Sequence, residues 1–140
     1  MRGTRLVIPA FLVLVSLAAC GPKHVQTTAI FSEQLGMAAL TAQKVVTDLH
    51  AVGSLPDASY VAWQNQFLRL GLGIKALNQA LRAANGQAVL TQVTAMVDLV
   101  TALVTVEVPK LKESDRVLVL VVLGSVKSTL LVIAADWGGA

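Results

Sequence analysis

Apolar residues recur at alternating steps of three and four through most of this chain, and the second of four such segments shows the pattern best. Its members are Tyr60, Trp63, Phe67, Leu70, Ile74, Leu77, Leu81 and Ala84. This spacing places side chains on one face of an α-helix, whereas a half-buried strand would alternate at every second residue. The pattern therefore predicts an all-α domain whose helices share an apolar core.

Two neighbouring segments repeat the helical spacing with smaller side chains. The first predicts a buried stripe of Phe31, Leu35, Ala38, Ala42, Val45, Leu49 and Val52. The third predicts one of Leu90, Val93, Val97, Val100 and Val104. Because the β-branched residues of the third segment lower its intrinsic helix propensity, packing against neighbouring helices has to stabilise it.

Turn-forming residues separate the four segments. Gly53 is suited to a left-handed cap after the first helix, and Ser54 begins a capping-box pattern for the second. Asn85 and Gly86 tolerate positive φ and are expected to end the second helix, while Ser114 is expected to cap the fourth.

Four helices of about 30 to 40 Å joined by short turns can lie side by side. We therefore predict an antiparallel up-down-up-down four-helix bundle over residues 28–136, followed by a flexible tail at residues 137–140. In the second helix Gly71 and Gly73 are unfavourable for helix formation. They indicate either the close approach of a neighbouring helix or a kink that opens a crevice for an apolar ligand.

The fourth segment, residues 117–135, is apolar on nearly every side, and Lys127 is its only charged residue. Such a helix has to be covered by protein or by lipid. The favoured interpretation is a central helix wrapped by the other three. The alternative is a membrane-spanning helix: its Val, Leu and Ile residues contribute about −4 to −7 kcal/mol to insertion, against roughly +3 kcal/mol for Lys127.

Two ion pairs are hypothesised between the third and fourth helices. If these helices fold back on each other about a turn near residue 111, Asp98 comes level with Lys127, and Glu107 with Arg116. Isolated charges on apolar helices are stabilised by such pairing. The alternative for Asp98 and Lys127 is that each side chain extends outward to water.

The N-terminus has the organisation of a secretory signal. Arg2 and Arg5 precede an apolar stretch over residues 6–19, which is too short to span a bilayer. The stretch closes on the tetrapeptide Leu17, Ala18, Ala19 and Cys20. This tetrapeptide resembles the lipobox of bacterial lipoproteins.

The resemblance implies that a diacylglycerol is attached to Cys20 and that residues 1–19 are then removed as a signal peptide. Membrane lipid, reached through the acylated cysteine and a tether of residues 20–27, is then the first partner. Gly21 is not the aspartate that retains such lipoproteins at the inner membrane. An exported protein, anchored on the periplasmic side of the outer membrane in a two-membrane cell, is therefore implied.

Charge and cysteine content exclude several classes of protein. Loss of Arg2 and Arg5 would lower the formal net charge from +3 to +1, and the other basic residues are dispersed, so no nucleic-acid-binding face is expected. Cys20 is the only cysteine, which excludes an intrachain disulfide. His24 and His50 have no neighbouring ligands at helical spacing, and no catalytic motif occurs, so no enzyme, metal site or cofactor is expected.

These features predict a small helical lipoprotein that acts as an interaction, scaffold or blocking module at a bacterial envelope, with an unknown envelope protein as its partner. One alternative is a lysis or permeabilising protein that inserts residues 117–135 into the bilayer. A second alternative is an apolar-ligand carrier. The sequence leaves open whether copies form a homo-oligomer through the apolar fourth helix.

Overall fold

The computed structural model describes residues 23–138, which fold into four α-helices without any strand. The helices are α1 (Lys23–Ala51), α2 (Asp57–Arg82), α3 (Gly86–Ala102) and α4 (Glu113–Gly138). The all-α prediction is confirmed. The predicted signal peptide, residues 1–19, and the predicted lipidation site Cys20 lie outside the described residues.

The helices surround one apolar core. α1 packs against α2 and α4, and α3 packs against the same two helices. Each helix contributes buried side chains at steps of three and four, as for a shared seam between helices. Those of α1 are Leu35, Ala42, Val46 and Leu49; of α2, Trp63, Phe67, Leu70, Leu77 and Leu81; of α3, Val89, Val93, Met96 and Val100; and of α4, Val119, Leu123, Val126, Leu130 and Ile133.

The stripe predicted for α2 is confirmed over its central part, where Trp63, Phe67 and Leu70 are buried. In α3 the predicted Val93 and Val100 are buried, but at the start of the helix Val89 is fully buried while the predicted Leu90 is only half-buried. α3 carries apolar residues on more than one side, so its sequence leaves the rotation of the helix about its axis less well determined.

The α-helical part of α3 ends at Ala102, and the chain continues from it directly into two turns with different hydrogen-bond spacing. Residues Leu103–Glu107 form a π-helical turn, in which the Val108 N–H donates to the Leu103 carbonyl, and Val108–Lys110 form a 3₁₀ turn. Pro109 explains the change, because it has no N–H to donate and its ring would clash with the carbonyl four residues earlier in a regular α-helix.

The turn between α1 and α2 agrees with the sequence at Gly53 but not at Ser54. Gly53 has φ +80°, and the backbone N–H groups of Gly53 and Ser54 donate to the carbonyls of His50 and Leu49. The predicted capping box does not form, because α2 begins at Asp57, after Pro56, without a side-chain cap. Ser114 likewise lies inside the first turn of α4 rather than before it.

The turn between α2 and α3 differs from the prediction. The left-handed residue is Ala84, with φ +51°, whereas Asn85 and Gly86 begin α3 instead of ending α2. The Asn85 side chain accepts a hydrogen bond from the Ala88 N–H at 3.1 Å and so caps α3. An alanine in the left-handed region is strained, because its Cβ approaches the backbone too closely.

We predict that Ala84→Gly raises the free energy of unfolding by about 0.5 to 1 kcal/mol. Relief of the strain at positive φ outweighs the larger backbone entropy that glycine has in the unfolded chain. Urea denaturation of the parent and variant proteins measures the difference. A destabilised variant would show that the strain at Ala84 is smaller than this entropy cost.

Both ends of the predicted bundle need correction. α1 already begins at Lys23, so residues 23–27 belong to the helix and not to a tether. α4 extends to Gly138, and Trp137, assigned above to a flexible tail, is half-buried and donates a hydrogen bond from Nε1 to the Thr28 hydroxyl. A Cβ on Gly86 would lie 3.0 Å from Trp137 Cε3, so Gly86 provides space for the indole.

Candidate functional site

The most unusual surface of the described chain is the outward side of α4. We define the α4 outer face as the exposed residues Val117, Val121, Gly124, Ser128, Leu131, Val132 and Ala135. Val117 and Val121 are 64% and 65% exposed, and Leu131 is 49% exposed. The face contains no charged residue, and Ser128 is its only polar side chain, so it is a predominantly apolar surface along the helix.

This arrangement corrects the interpretation of α4 as a central helix wrapped by the other three. Only one side of α4 is buried, and 28% of its most apolar stretch lies inside the protein. The most apolar 18-residue stretch within Gly86–Lys110 has a mean hydropathy of 1.8, and the corresponding stretch within Glu113–Gly138 has one of 2.4. Both are long and apolar enough to cross a membrane by length and composition alone, which is weak evidence for membrane association.

The hypothesised ion pair between Asp98 and Lys127 does not form, and neither residue takes part in a salt bridge within residues 23–138. Asp98 lies two residues after Met96 and two before Val100, which are both buried, so its side chain points away from the core and is exposed. The two residues correspond in sequence numbering, but the direction of the Asp98 side chain about the axis of α3 does not bring it to Lys127.

Glu107 and Arg116 do not pair either. The buried carboxylate of Glu107 lies 3.3 Å from Lys110 Nζ, one turn later on the same segment. Arg116 instead donates from Nε to the Leu111 carbonyl at 2.9 Å and from a terminal nitrogen to the Pro109 carbonyl at 3.0 Å. Arg116 therefore closes the turn before α4, where the 3₁₀ turn leaves carbonyl oxygens that need donors.

His50 has a structural role at the turn between α1 and α2. Its Nε2 lies 2.7 Å from Asp57 Oδ1, and its ring stacks on Tyr60 at a centroid distance of 3.9 Å. These contacts join the last turn of α1 to the first turn of α2.

A polar layer near the start of α1 was missed in the sequence. Thr28 and Ser32 are buried, and the Ser32 hydroxyl donates to Asn78 Oδ1 at 2.6 Å, while Thr28 accepts from Trp137. The sequence does contain a pattern that indicates this layer: Ser32 lies three residues before Leu35, and Thr28 lies four residues before Ser32, so both continue the buried stripe of α1. Polar residues at those positions were not recognised as part of the buried stripe.

The two glycines of α2 have different environments. A Cβ on Gly73 would lie 2.7 Å from Met96 Cγ and 2.9 Å from its Sδ, which confirms the close approach of a neighbouring helix at this position. A Cβ on Gly71 would meet nothing within 4 Å. Gly71 instead borders an open groove between α1 and α2, together with Gly36 and Phe67.

We predict that Gly73→Ala lowers the free energy of unfolding by about 1 to 2 kcal/mol, because the added methyl group overpacks against the buried Met96. Gly71→Ala is the matched control, and it is expected to raise stability by about 0.5 to 1 kcal/mol through helix propensity alone. Thermal and urea denaturation of both variants measure the difference. Stabilisation by both substitutions would show that Met96 moves aside without cost.

The groove beside Gly71 has a volume of about 250 Å³ and is lined largely by apolar side chains. Drug-sized ligands usually occupy concave sites of about 300 to 1,000 Å³ that enclose most of the molecule. This open groove therefore offers only limited cover for an apolar ligand.

The remaining predicted site residues cannot be placed. Leu17, Ala18, Ala19 and Cys20 lie outside the described residues. Within residues 23–138 no group of three or more His, Cys, Asp or Glu side chains is arranged to hold a metal ion.

Comparison with known proteins identifies no relative: no family model, curated protein or solved structure matches this chain.

Proposed function

We propose that this protein is a bacterial envelope lipoprotein in which acylated Cys20 anchors an up-down-up-down four-helix bundle that acts as an interaction, scaffold or blocking module. The observation that carries the interaction role is the α4 outer face, which is apolar, uncharged and exposed. Contiguous exposed apolar surfaces that lack charge are typical of sites that contact another protein or a membrane.

Three contacts support the up-down arrangement. Ser32, near the start of α1, bonds Asn78, near the end of α2. Thr28, also near the start of α1, bonds Trp137 at the end of α4. Gly86, at the start of α3, lies against Trp137 as well. Antiparallel neighbours joined by short turns satisfy all of these contacts.

The position of α1 supports a module held close to the lipid. Because α1 begins at Lys23, only Gly21 and Pro22 separate it from Cys20. Consecutive Cα atoms are about 3.8 Å apart, so Cys20 lies within about 11 Å of the start of α1. An acyl group on Cys20 would therefore enter the bilayer near the end of the bundle that contains Trp137.

The mass of the N-terminal peptide of the purified protein tests the anchor directly. We expect a peptide that begins at Cys20, carries a diacylglycerol and lacks residues 1–19. A chain that still begins at Met1 and bears a free thiol at Cys20 would contradict the proposal.

A membrane-inserting protein is the second candidate, favoured by the hydropathy of α4 and by the small share of its apolar stretch that is buried. Exporting residues 21–140 behind an ordinary cleavable secretory signal removes the anchor and distinguishes the two functions. We expect this anchorless chain to be released by alkaline carbonate, whereas the full chain stays with the membrane. Retention of the anchorless chain would support insertion and overturn the bundle proposal.

A further inference from the structure

We infer that the bundle holds one internal water molecule at the end where α3 leads into α4, bound by Trp63, Glu107 and Asp115. This inference uses the up-down arrangement of the helices proposed above and does not depend on the lipid anchor. It places a second polar layer in the bundle, at the opposite end from the layer of Thr28 and Ser32.

Three buried side-chain atoms define the site, and none of them has a hydrogen-bond partner within residues 23–138. They are Nε1 of Trp63, Oε2 of Glu107 and Oδ2 of Asp115. Trp63 is fully buried and Glu107 is only 9% exposed, so bulk water does not reach these groups. Lys110 donates to the other carboxylate oxygen of Glu107, Oε1, at 3.4 Å. Native proteins rarely leave buried polar atoms without a partner, because the hydration lost on burial is then not replaced.

The packing of α2 against α3 brings the first two atoms to one level of the bundle. A Cβ on Gly73 would contact Met96, so these two positions lie side by side. Trp63 lies ten residues before Gly73, and Val106 lies ten residues after Met96. Helices joined by a short turn run in opposite directions, so equal distances from a shared contact lead to the same level. Trp63 is therefore level with Val106 and, at about 1.5 Å per residue, next to the level of Glu107.

The packing of α3 against α4 brings the third atom to the same level. A Cβ on Gly86 would lie 3.0 Å from Trp137 Cε3, so these two positions are also side by side. Glu107 lies 21 residues after Gly86, and Arg116 lies 21 residues before Trp137. Glu107 is therefore level with Arg116, and Asp115 is only one residue away. Three helical segments thus each contribute one unpartnered buried atom to one layer.

The chemistry of the three groups fits a water molecule better than an ion. The indole N–H of Trp63 is a donor, whereas the carboxylate oxygens of Glu107 and Asp115 are acceptors. A cation could bind the two oxygens but not the N–H, and an anion could bind only the N–H. A water molecule accepts from the N–H and donates to both oxygens, which gives the three hydrogen bonds that are usual for a buried water. The ion pair between Lys110 and Glu107, at 3.3 Å, already balances one of the two negative charges.

Nuclear magnetic resonance of the full chain in detergent micelles tests for the water. The chain contains two tryptophans, so two indole N–H signals are expected, and Trp63→Phe identifies the signal of Trp63. We expect the indole proton of Trp63 to show a cross-peak to water with opposite signs in NOE and ROE spectra. Opposite signs indicate a bound water, whereas exchange of the indole proton itself gives the same sign in both. Absence of this cross-peak would overturn the proposal.

A double-mutant cycle tests the link between Trp63 and Glu107. Trp63→Phe removes the donor, and Glu107→Leu removes one acceptor. We expect Trp63→Phe to raise the equilibrium constant for unfolding in urea by a factor roughly fivefold smaller in the Glu107→Leu chain than in the parent, because the water is already lost there. The space left by the smaller ring is common to both backgrounds and cancels.

Glu113→Leu is the matched control for the cycle, because Glu113 is an exposed acidic residue in the first turn of α4. The effect of Trp63→Phe should be the same in the Glu113→Leu chain as in the parent. If the effect of Trp63→Phe were also unchanged in the Glu107→Leu chain, the shared site would be ruled out.

Two further results would replace the water by another arrangement and so contradict the inference. Coupling between Trp63 and Glu107 without a water cross-peak would show a direct hydrogen bond. A shift of the Trp63 indole signal on addition of millimolar Mg²⁺, with the Trp137 signal unchanged, would show a bound cation. None of these measurements involves Cys20, so the mass of the N-terminal peptide decides the anchor separately.

Discussion

Leu130→Ala is expected to lower the free energy of unfolding by about 3 kcal/mol. Leu130 is fully buried on the core side of α4, and truncation of a buried leucine removes apolar contacts and leaves a cavity. Urea denaturation of the purified anchorless chain, residues 21–140, measures this loss.

The next residue provides a matched control. Leu131 is 49% exposed on the α4 outer face, so Leu131→Ala is expected to change stability by less than about 0.5 kcal/mol. The two variants remove the same atoms from adjacent positions and differ only in burial. Equal losses at both positions would contradict the rotation of α4 and would indicate that the helix is covered on all sides.

Trp137→Ala is expected to lower the free energy of unfolding by about 2 to 3 kcal/mol, although the residue lies in the last turn of α4. The indole packs against Gly86 and its Nε1 donates to the buried Thr28 hydroxyl, so truncation removes both a large apolar contact and a hydrogen bond. The free energy of unfolding in urea and the thermal midpoint both report the loss.

Trp137→Phe separates the two contributions, because it keeps most of the ring contact and removes only the donor. We expect Trp137→Phe to lower the free energy of unfolding by about 1 kcal/mol, the typical net contribution of one hydrogen bond. If Trp137→Ala were as stable as the parent protein, residues 137–140 would be the flexible tail that the sequence alone suggested.

The parts of the fold that the sequence predicted are those governed by local periodicity. α2 was predicted well because large side chains such as Trp63, Phe67 and Leu70 lie on one face and polar residues on the others. Gly53 was predicted because a left-handed helix cap strongly favours glycine. In both cases nearby residues contain the information that determines the structure.

The rotation of α4 could not be predicted in the same way. Val, Leu and Ile occupy almost every side of residues 117–135, so the sequence shows that the helix must be covered but not which side faces the core. Burial of Leu130 and exposure of Leu131 result from contacts with α1 and α3. The α4 outer face therefore becomes visible only in the structure.

Contacts between residues far apart in sequence account for the other differences. The hydrogen bond from Trp137 to Thr28 joins the two ends of the described chain, and no local pattern predicts it. Asp98 and Lys127 lie at similar distances in sequence from the turn near residue 111. That distance does not determine the direction in which the Asp98 side chain points. Such contacts depend on how the helices rotate when they pack.

The polar layer of Thr28 and Ser32 selects one alignment of the helices. If α1 shifted by one heptad along its neighbours, Leu35 would occupy the level of Thr28, and apolar side chains would still meet apolar side chains. Ser32, however, would lose its hydrogen bond to Asn78. A hydroxyl left buried without a hydrogen bond costs about 1 to 3 kcal/mol, a penalty that falls on the shifted forms and not on the native one. These few polar atoms therefore make one alignment of α1 against its neighbours more stable than the shifted alternatives.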